Sequence, residues 1–180
     1  MSVEPPLDEL HPTTPLRDVA LEIEQHVGED GWDQPVRLFA LVPTAELVAR
    51  EPGLAEQLGE QLSADPHALT SIEQDVPQDR DLETLLGAIE WPDAVLGCAV
   101  VVERLMLPAE AEDDLPDDPQ ALAEAVAAHP ERREVRLVAA VTRDGARHSI
   151  VRGRDGSADD LLEGPDLVPG LLDPLLQTLA

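Results

Sequence analysis

Apolar residues recur along this chain in two rhythms, spaced three or four apart in some stretches and contiguous in others. Leu16, Val19, Ile23 and Val27 fall on one face of a helix, which Thr14 caps, Pro15 starts and Gly28 ends. The contiguous run Val36–Val42, closed by Pro43, predicts a buried strand. Thr44 is placed to cap a helix to about Arg50, broken by Pro52-Gly53; Leu54, Leu58 and Leu62 mark another helix, and Leu69–Val76 a strand. Leu82, Leu85, Leu86 and Ile89 form an amphipathic face that stops before Trp91-Pro92. Val95–Val102, extending towards Leu107, is the strongest strand signal and belongs at the centre of a sheet, under helices on both sides. Asp118-Pro119 starts a helix carrying Leu122 and Val126 that ends at His129-Pro130. Val135–Thr142 and Ala146–Arg152 flank Asp144-Gly145, a two-residue hairpin signal. Leu172, Leu175, Leu176 and Leu179 line a last helix interrupted by Pro174.

Helices alternate with strands until the hairpin. The order predicts an α/β fold: a single mixed, partly parallel sheet with helices on both faces and one antiparallel hairpin near the C-terminal end. Residues 1–13 read as a flexible acidic, proline-rich arm. Residues 14–180 read as a single α/β domain with acidic loops at 109–119 and 155–166.

Composition narrows the chemistry. The chain of 180 residues has 43% apolar residues, enough for a core that must be aliphatic, because Trp32, Phe39 and Trp91 are its only aromatics. Its net charge is −26, with no Lys, Asn or Tyr, and every fixed cation is one of twelve arginines. Missing A/T-rich codons point to a high-GC genome. The charge repels nucleic acid and anionic membranes, and few aromatics remain for base stacking, so neither is an expected partner. The single Cys98 cannot form an internal disulfide, and MSVEPPLDELHP contains no secretory apolar core; both suit the cytoplasm.

The charge is unevenly spread. Between Arg132 and Arg154 stand seven Arg against Glu134 and Asp144, a local +5 that leaves −31 for the rest. Strand alternation about Asp144-Gly145 places Arg136, Thr142, Arg147 and Ser149 on one hairpin face, a donor-rich surface able to grip phosphate or carboxylate. The plainer reading has these Arg neutralising nearby acids and guarding an edge strand. Glu103 and Arg104 at the end of the central strand, with Thr44 and Glu46 after the first, would line a cleft at the C-terminal strand ends. An ion pair plus a helix cap is the alternative. Trp32 and Asp33, among the acids of Glu29–Gln34, offer a ring face to a basic partner, or else staple a loop over the core. Cys98 in its apolar run reads as a core residue.

Catalytic and metal signatures are missing. No HxxxH or HExxH pairs the five His, and a P-loop is impossible without Lys. Asp155–Asp160 starts like a calcium loop but has Asp160 where glycine is required and Asp166 where glutamate is. No catalytic residue, metal or cofactor is therefore expected.

Four stretches carry a resemblance: Asp30-GWDQPVRLFALVPTAEL-Val48, Ile89-EWPDAVLGCAVVVERLML-Pro108, Arg143-DGARHSI-Val151 and Asp166-LVPGLLDPL-Leu176. Over most of residues 14–180 the chain resembles an actinobacteria-restricted family of conserved proteins of unassigned function, the two Trp motifs being the most specific. The resemblance implies an α/β domain in a high-GC cytoplasm and brings no catalytic residues. The resulting expectation is a non-catalytic regulatory or accessory domain that binds a protein or a small molecule. An enzyme acting on a phosphorylated or nucleoside-like small molecule is the alternative, with Arg136, Arg147 and Ser149 as anion donors and Glu103 as acid/base. An acidic nucleic-acid mimic is the third.

Overall fold

The computed structural model describes residues 14–64, 67–77, 81–106, 115–130, 132–154, 161–165, 167 and 169–179. The expected arm over 1–13, most of the acidic loop at 109–119 and residues 155–160 of the second lie outside them. Six helices and six strands are described, with a 3₁₀ turn at Pro52–Leu54. The helices are α1 (Pro15–Glu29), α2 (Thr44–Arg50), α3 (Ala55–Ala64), α4 (Leu82–Gly87), α5 (Pro119–Ala128) and α6 (Pro169–Thr178). The strands are β1 (Arg37–Pro43), β2 (Leu69–Gln74), β3 (Gly97–Met106), β4 (Arg133–Thr142), β5 (Arg147–Gly153) and β6 (Leu161–Gly164).

Local signals set the helix ends. Thr14 Oγ1 accepts from the Arg17 N–H at 3.1 Å, and Pro15 follows it into the first turn of α1. Asp118 does the same for α5, accepting from the Ala121 N–H at 3.0 Å. Thr44 is not the cap of α2 but its first residue. Pro43 holds the cap position, and the buried Thr44 hydroxyl meets Thr70 Oγ1 at 2.8 Å.

The strands form one sheet in the order β2-β1-β3-β4-β5-β6, and every neighbouring pair is antiparallel. The expected partly parallel sheet is thereby corrected. Alternating helices and strands imply parallel pairing only where each helix crosses between paired parallel strands. Here α2 and α3 sit inside the connection between the antiparallel neighbours β1 and β2, and α5 inside that between β3 and β4. Only the β2–β3 connection passes a strand, and the strand it passes, β1, separates its two ends in the sheet.

Two-sided burial holds without parallel pairing. Cys98, Val100 and Val102 point to one face of β3 and Ala99 and Val101 to the other, all of them buried. One face packs Phe39, Leu41, Val138, Ala140 and Ile150 against Leu16, Val19, Ile23 and Val27 of α1. The opposite face packs Leu38, Leu137, Ala139 and Val141 against Leu86 of α4 and Leu172, Leu175 and Leu179 of the last helix segment. An antiparallel sheet covered on both sides carries the same apolar runs as a parallel one, so the runs alone do not distinguish the two.

Two further differences shape the surface. Leu161–Gly164, expected within an acidic loop, is the edge strand β6, pairing Leu161 with Arg152 and Gly164 with Ser149. The hairpin register also differs by one residue. Thr142 pairs with Ala146 around a three-residue loop, with the Thr142 N–H donating to Ala146 O at 3.0 Å and the Gly145 N–H to Thr142 O at 3.0 Å. Gly145 takes φ of 90°, the left-handed residue that closes such loops. Partners across β4 and β5 are therefore Val138 with Ile150 and Ala140 with His148. A slip of one residue turns every β5 side chain to the face opposite the expected one.

Candidate functional site

The slip divides the expected anion surface. Arg136 lies on the α1 face, opposite Arg152 across the strands, whereas Arg147 and Ser149 pair with Val141 and Ala139 on the α6 face. Ser149 is fully buried and ties in the sheet edge: its hydroxyl donates to Gly164 O at 2.7 Å and accepts from the Leu167 N–H at 3.1 Å. The other expected cleft does not form either. In the antiparallel pair Leu41 faces Gly97, so Thr44 and Glu46 lie beyond the start of β3 while Glu103 and Arg104 lie near its end. Glu103 stands six strand steps from Gly97, roughly 20 Å. Arg104 is exposed and donates to the Glu103 carbonyl at 3.3 Å.

Instead, residues singled out for separate reasons converge around Trp32. Glu103 accepts from the backbone N–H groups of Asp33 at 2.8 Å and Gln34 at 2.9 Å, fastening the 30–34 loop to β3. Asp33, at φ of 64°, is held in the left-handed region by that bond and by its carboxylate on Arg154, at 2.9 and 3.0 Å. The Arg154 guanidinium keeps the exposed Asp33 carboxyl below its ordinary range. Arg136 donates to Gly31 O and lies 4.4 Å from the Trp32 ring centroid, with Arg154 at 5.6 Å. The ring expected to receive a foreign cation is already occupied by two of the protein's own.

The remaining hairpin arginines are ties as well. Arg152 grips Glu24 of α1 through two donors, and Arg147 meets Asp173 at 2.8 Å. Arg143 donates to the carbonyls of Leu179 at 2.7 Å, Val95 at 2.8 Å and Pro92 at 3.2 Å. Cys98 is fully buried among apolar neighbours, its thiol pushed up to about 11 first by loss of hydration, against the opposing effects of Thr178 and Arg143. Its reading as a core residue stands. Trp91 pins the end of α6 through Nε1–H to Thr178 Oγ1 at 3.0 Å.

A concave site remains at the opposite end of the sheet from Glu103, between the start of α1, the end of β1 and the β4–β5 turn. It is a cleft of about 560 Å³. Leu16, Leu69 and the 37% exposed Leu96 give it apolar walls, and Thr142, Asp144 and Arg147 stand among its polar groups. Asp144 accepts from the Thr142 hydroxyl and the Ala146 N–H, and these bonds, the hydroxyl first, lower its carboxyl below the ordinary range. Two of the expected ligand residues, Thr142 and Arg147, thus share a site after all, with different companions. His67, Leu69, Leu96 and Asp144 carried no signal as a group, because only the antiparallel topology brings their three segments to one end of the sheet. No group of three or more His, Cys, Asp or Glu with metal-binding geometry occurs among the described residues, and no described helix is long and apolar enough to cross a membrane.

Fold and site together define an α/β protein on one open six-stranded antiparallel sheet, sheathed on both faces, with an apolar-walled cleft at one end and an arginine-clasped tryptophan loop at the other. The family model of the PPA1309-like proteins matches residues 16–180, and the chain belongs to that family, whose function is unassigned. No curated protein and no solved structure matches the chain.

Proposed function

We propose that this protein is a non-catalytic accessory domain that binds a small amphipathic molecule in the cleft between α1, β1 and the β4–β5 turn. The observation that carries the reading is the cleft itself. About 560 Å³ lies in the range of small-molecule sites, and its leucine walls converge on a few polar groups at the turn. Three side chains suited to catalysis, Glu103, Cys98 and His148, are engaged outside the cleft. Both carboxylate oxygens of Glu103 accept backbone N–H groups, the Cys98 thiol is buried, and His148 sits against Glu163 at 3.1 Å. The enzyme alternative needed Arg136, Arg147 and Ser149 to act on one substrate, and they are distributed over two faces of the sheet.

The test is a metabolite panel read by thermal shift and by amide NMR on the full chain. A cleft ligand at 100-fold excess over its Kd raises stability by about 2.7 kcal/mol, and its shifts centre on Leu16, Leu69, Leu96 and Arg147. Ala146 is exposed at the cleft mouth, so Ala146→Trp is expected to fill the opening, keep the fold and weaken binding at least tenfold. Ligands whose shifts map away from these residues, or binding unchanged in Ala146→Trp, would refute the reading.

A further inference from the structure

Arg136 is only 1% exposed, and its guanidinium is poorly compensated. Nη2 donates to Gly31 O, while the Nε–H is buried without any partner. The Glu103 carboxylate stands 4.0 Å away and is already committed to two backbone N–H groups. A cation removed from water needs an anion and satisfied donors, and this one has a shared carboxylate and one donor without a partner. Loss of hydration is the main influence lowering the proton affinity of Arg136.

Beside this group lies a cavity of about 360 Å³ between the end of α1 and strands β4 and β5. Its wall includes Arg136, Arg152, Trp32, Glu24, Glu29 and Gly28. Gly28 opens it. The residue is in helical conformation at the end of α1, with no backbone need for glycine. A Cβ at Gly28 would lie 3.6 Å from Arg136 Nη1, so glycine leaves the cover over that flank of the guanidinium thinner by a methyl. The charge around it sets the ligand class. Glu24 already neutralises Arg152 through two bonds, whereas Arg136 has only the more distant Glu103 carboxylate and the Trp32 ring. A dianion would face Glu24, Glu29 and Glu103 together, whereas a monoanion sets a single charge against them and brings the acceptor that the partnerless Arg136 Nε–H lacks.

We propose that this cavity is a binding site for a small monocarboxylate, which enters over Gly28 and places its oxygens on the Arg136 guanidinium beside the Trp32 ring. The site is separate from the cleft at the other end of the sheet, and it stands or falls independently of the function proposed for that cleft.

Trp32 reports on it directly once Trp91→Phe leaves it the only tryptophan. The full chain carrying Trp91→Phe is titrated at constant ionic strength with acetate, with chloride and with inorganic phosphate, while Trp32 emission and the Arg136 Nε–H resonance are followed. The expected result is a saturable response to acetate in the millimolar range, at least tenfold weaker for phosphate and absent for chloride. Gly28→Leu fills the opening and is expected to weaken acetate at least tenfold. Gly28→Ala, whose methyl makes only an ordinary contact, keeps the fold and gives a smaller loss in the same direction. Ala146→Trp, followed by the Arg136 Nε–H resonance alone because it adds a second tryptophan, leaves the acetate response unchanged. No saturable response to acetate, equal binding of phosphate, or an affinity untouched by both Gly28 variants would each overturn the proposal.

Discussion

Cys98 shows how completely this fold can silence a reactive side chain. Its Sγ is enclosed between β3 and α6, 3.8 Å from Leu175 O as donor and 3.6 Å from Thr178 Oγ1. With the thiol pushed up to about 11, the thiolate is a negligible fraction at pH 8. The folded chain is expected to leave a disulfide reagent such as DTNB unreacted at pH 8 and to consume one equivalent on unfolding in guanidinium. Rapid stoichiometric labelling of the folded protein would show that α6 does not stay seated on β3. Burial of this residue was legible from the apolar run around it. The same was true of the caps at Thr14 and Asp118, where one side chain and the following proline determine a helix start. Arg136 was not legible in this way. It stood out as part of a charge cluster, but its company depends on residues about 100 and 30 positions away in the chain, around Gly31 and Glu103.

Among the elements, the β4–β5 hairpin decides where the candidate residues end up. Asp144-Gly145 announced a turn, but the dipeptide serves both a two-residue and a three-residue loop. The Gly145 N–H bond to Thr142 O and the Thr142–Ala146 pairing select the longer one. One extra loop residue moved Arg147 and Ser149 to the α6 face and brought Arg147 to the cleft. Gly145→Ala, forced to φ of 90°, is expected to cost about 1–2 kcal/mol in urea unfolding. An unchanged midpoint would mean that the turn relaxes to another form and that the register is not pinned there. Pairing direction was illegible for a related reason. A helix inserted between antiparallel neighbours and a helix crossing between parallel ones leave the same order of elements, and two-sided burial removes the alternation that would have told them apart. Strand β6 was hidden because Leu161 and Leu162 stand among acids and glycines, and its pairing with β5 comes from the sheet rather than from its own pattern.

Across the molecule, one acid-sensitive tie is Glu163, which joins β6 to α1 through Arg17 at 3.0 Å and to β5 through His148 at 3.1 Å. The Arg17 guanidinium, with His148 assisting, holds its carboxyl below the ordinary 4.5. A carboxylate lowered in the folded state contributes stability that is complete above its unfolded value and is lost as the pH falls through the folded one. Stability is therefore expected to fall as the pH drops below about 4.5, and Glu163→Gln, about 2 kcal/mol less stable at pH 7, is expected to show a shallower acid limb. Relief of self-repulsion in a chain of net charge −26 acts in the opposite sense on both proteins alike, so the difference between them isolates the tie. Parallel acid limbs in urea titrations at several pH values would show that Glu163 carries none of it.

The packing of α1 has a consequence for how the molecule is made. Its apolar stripe is roofed by Phe39 and Leu41 close behind it, but also by Val138, Ala140 and Ile150. About 110 residues separate Val27 from Val138. At the usual pace of synthesis, about 5–20 residues per second, the ribosome needs some 5–20 s to deliver the far half of that roof. Helix α1 emerges before every strand that shelters it, and for those seconds its greasy stripe is what a nascent-chain chaperone would hold.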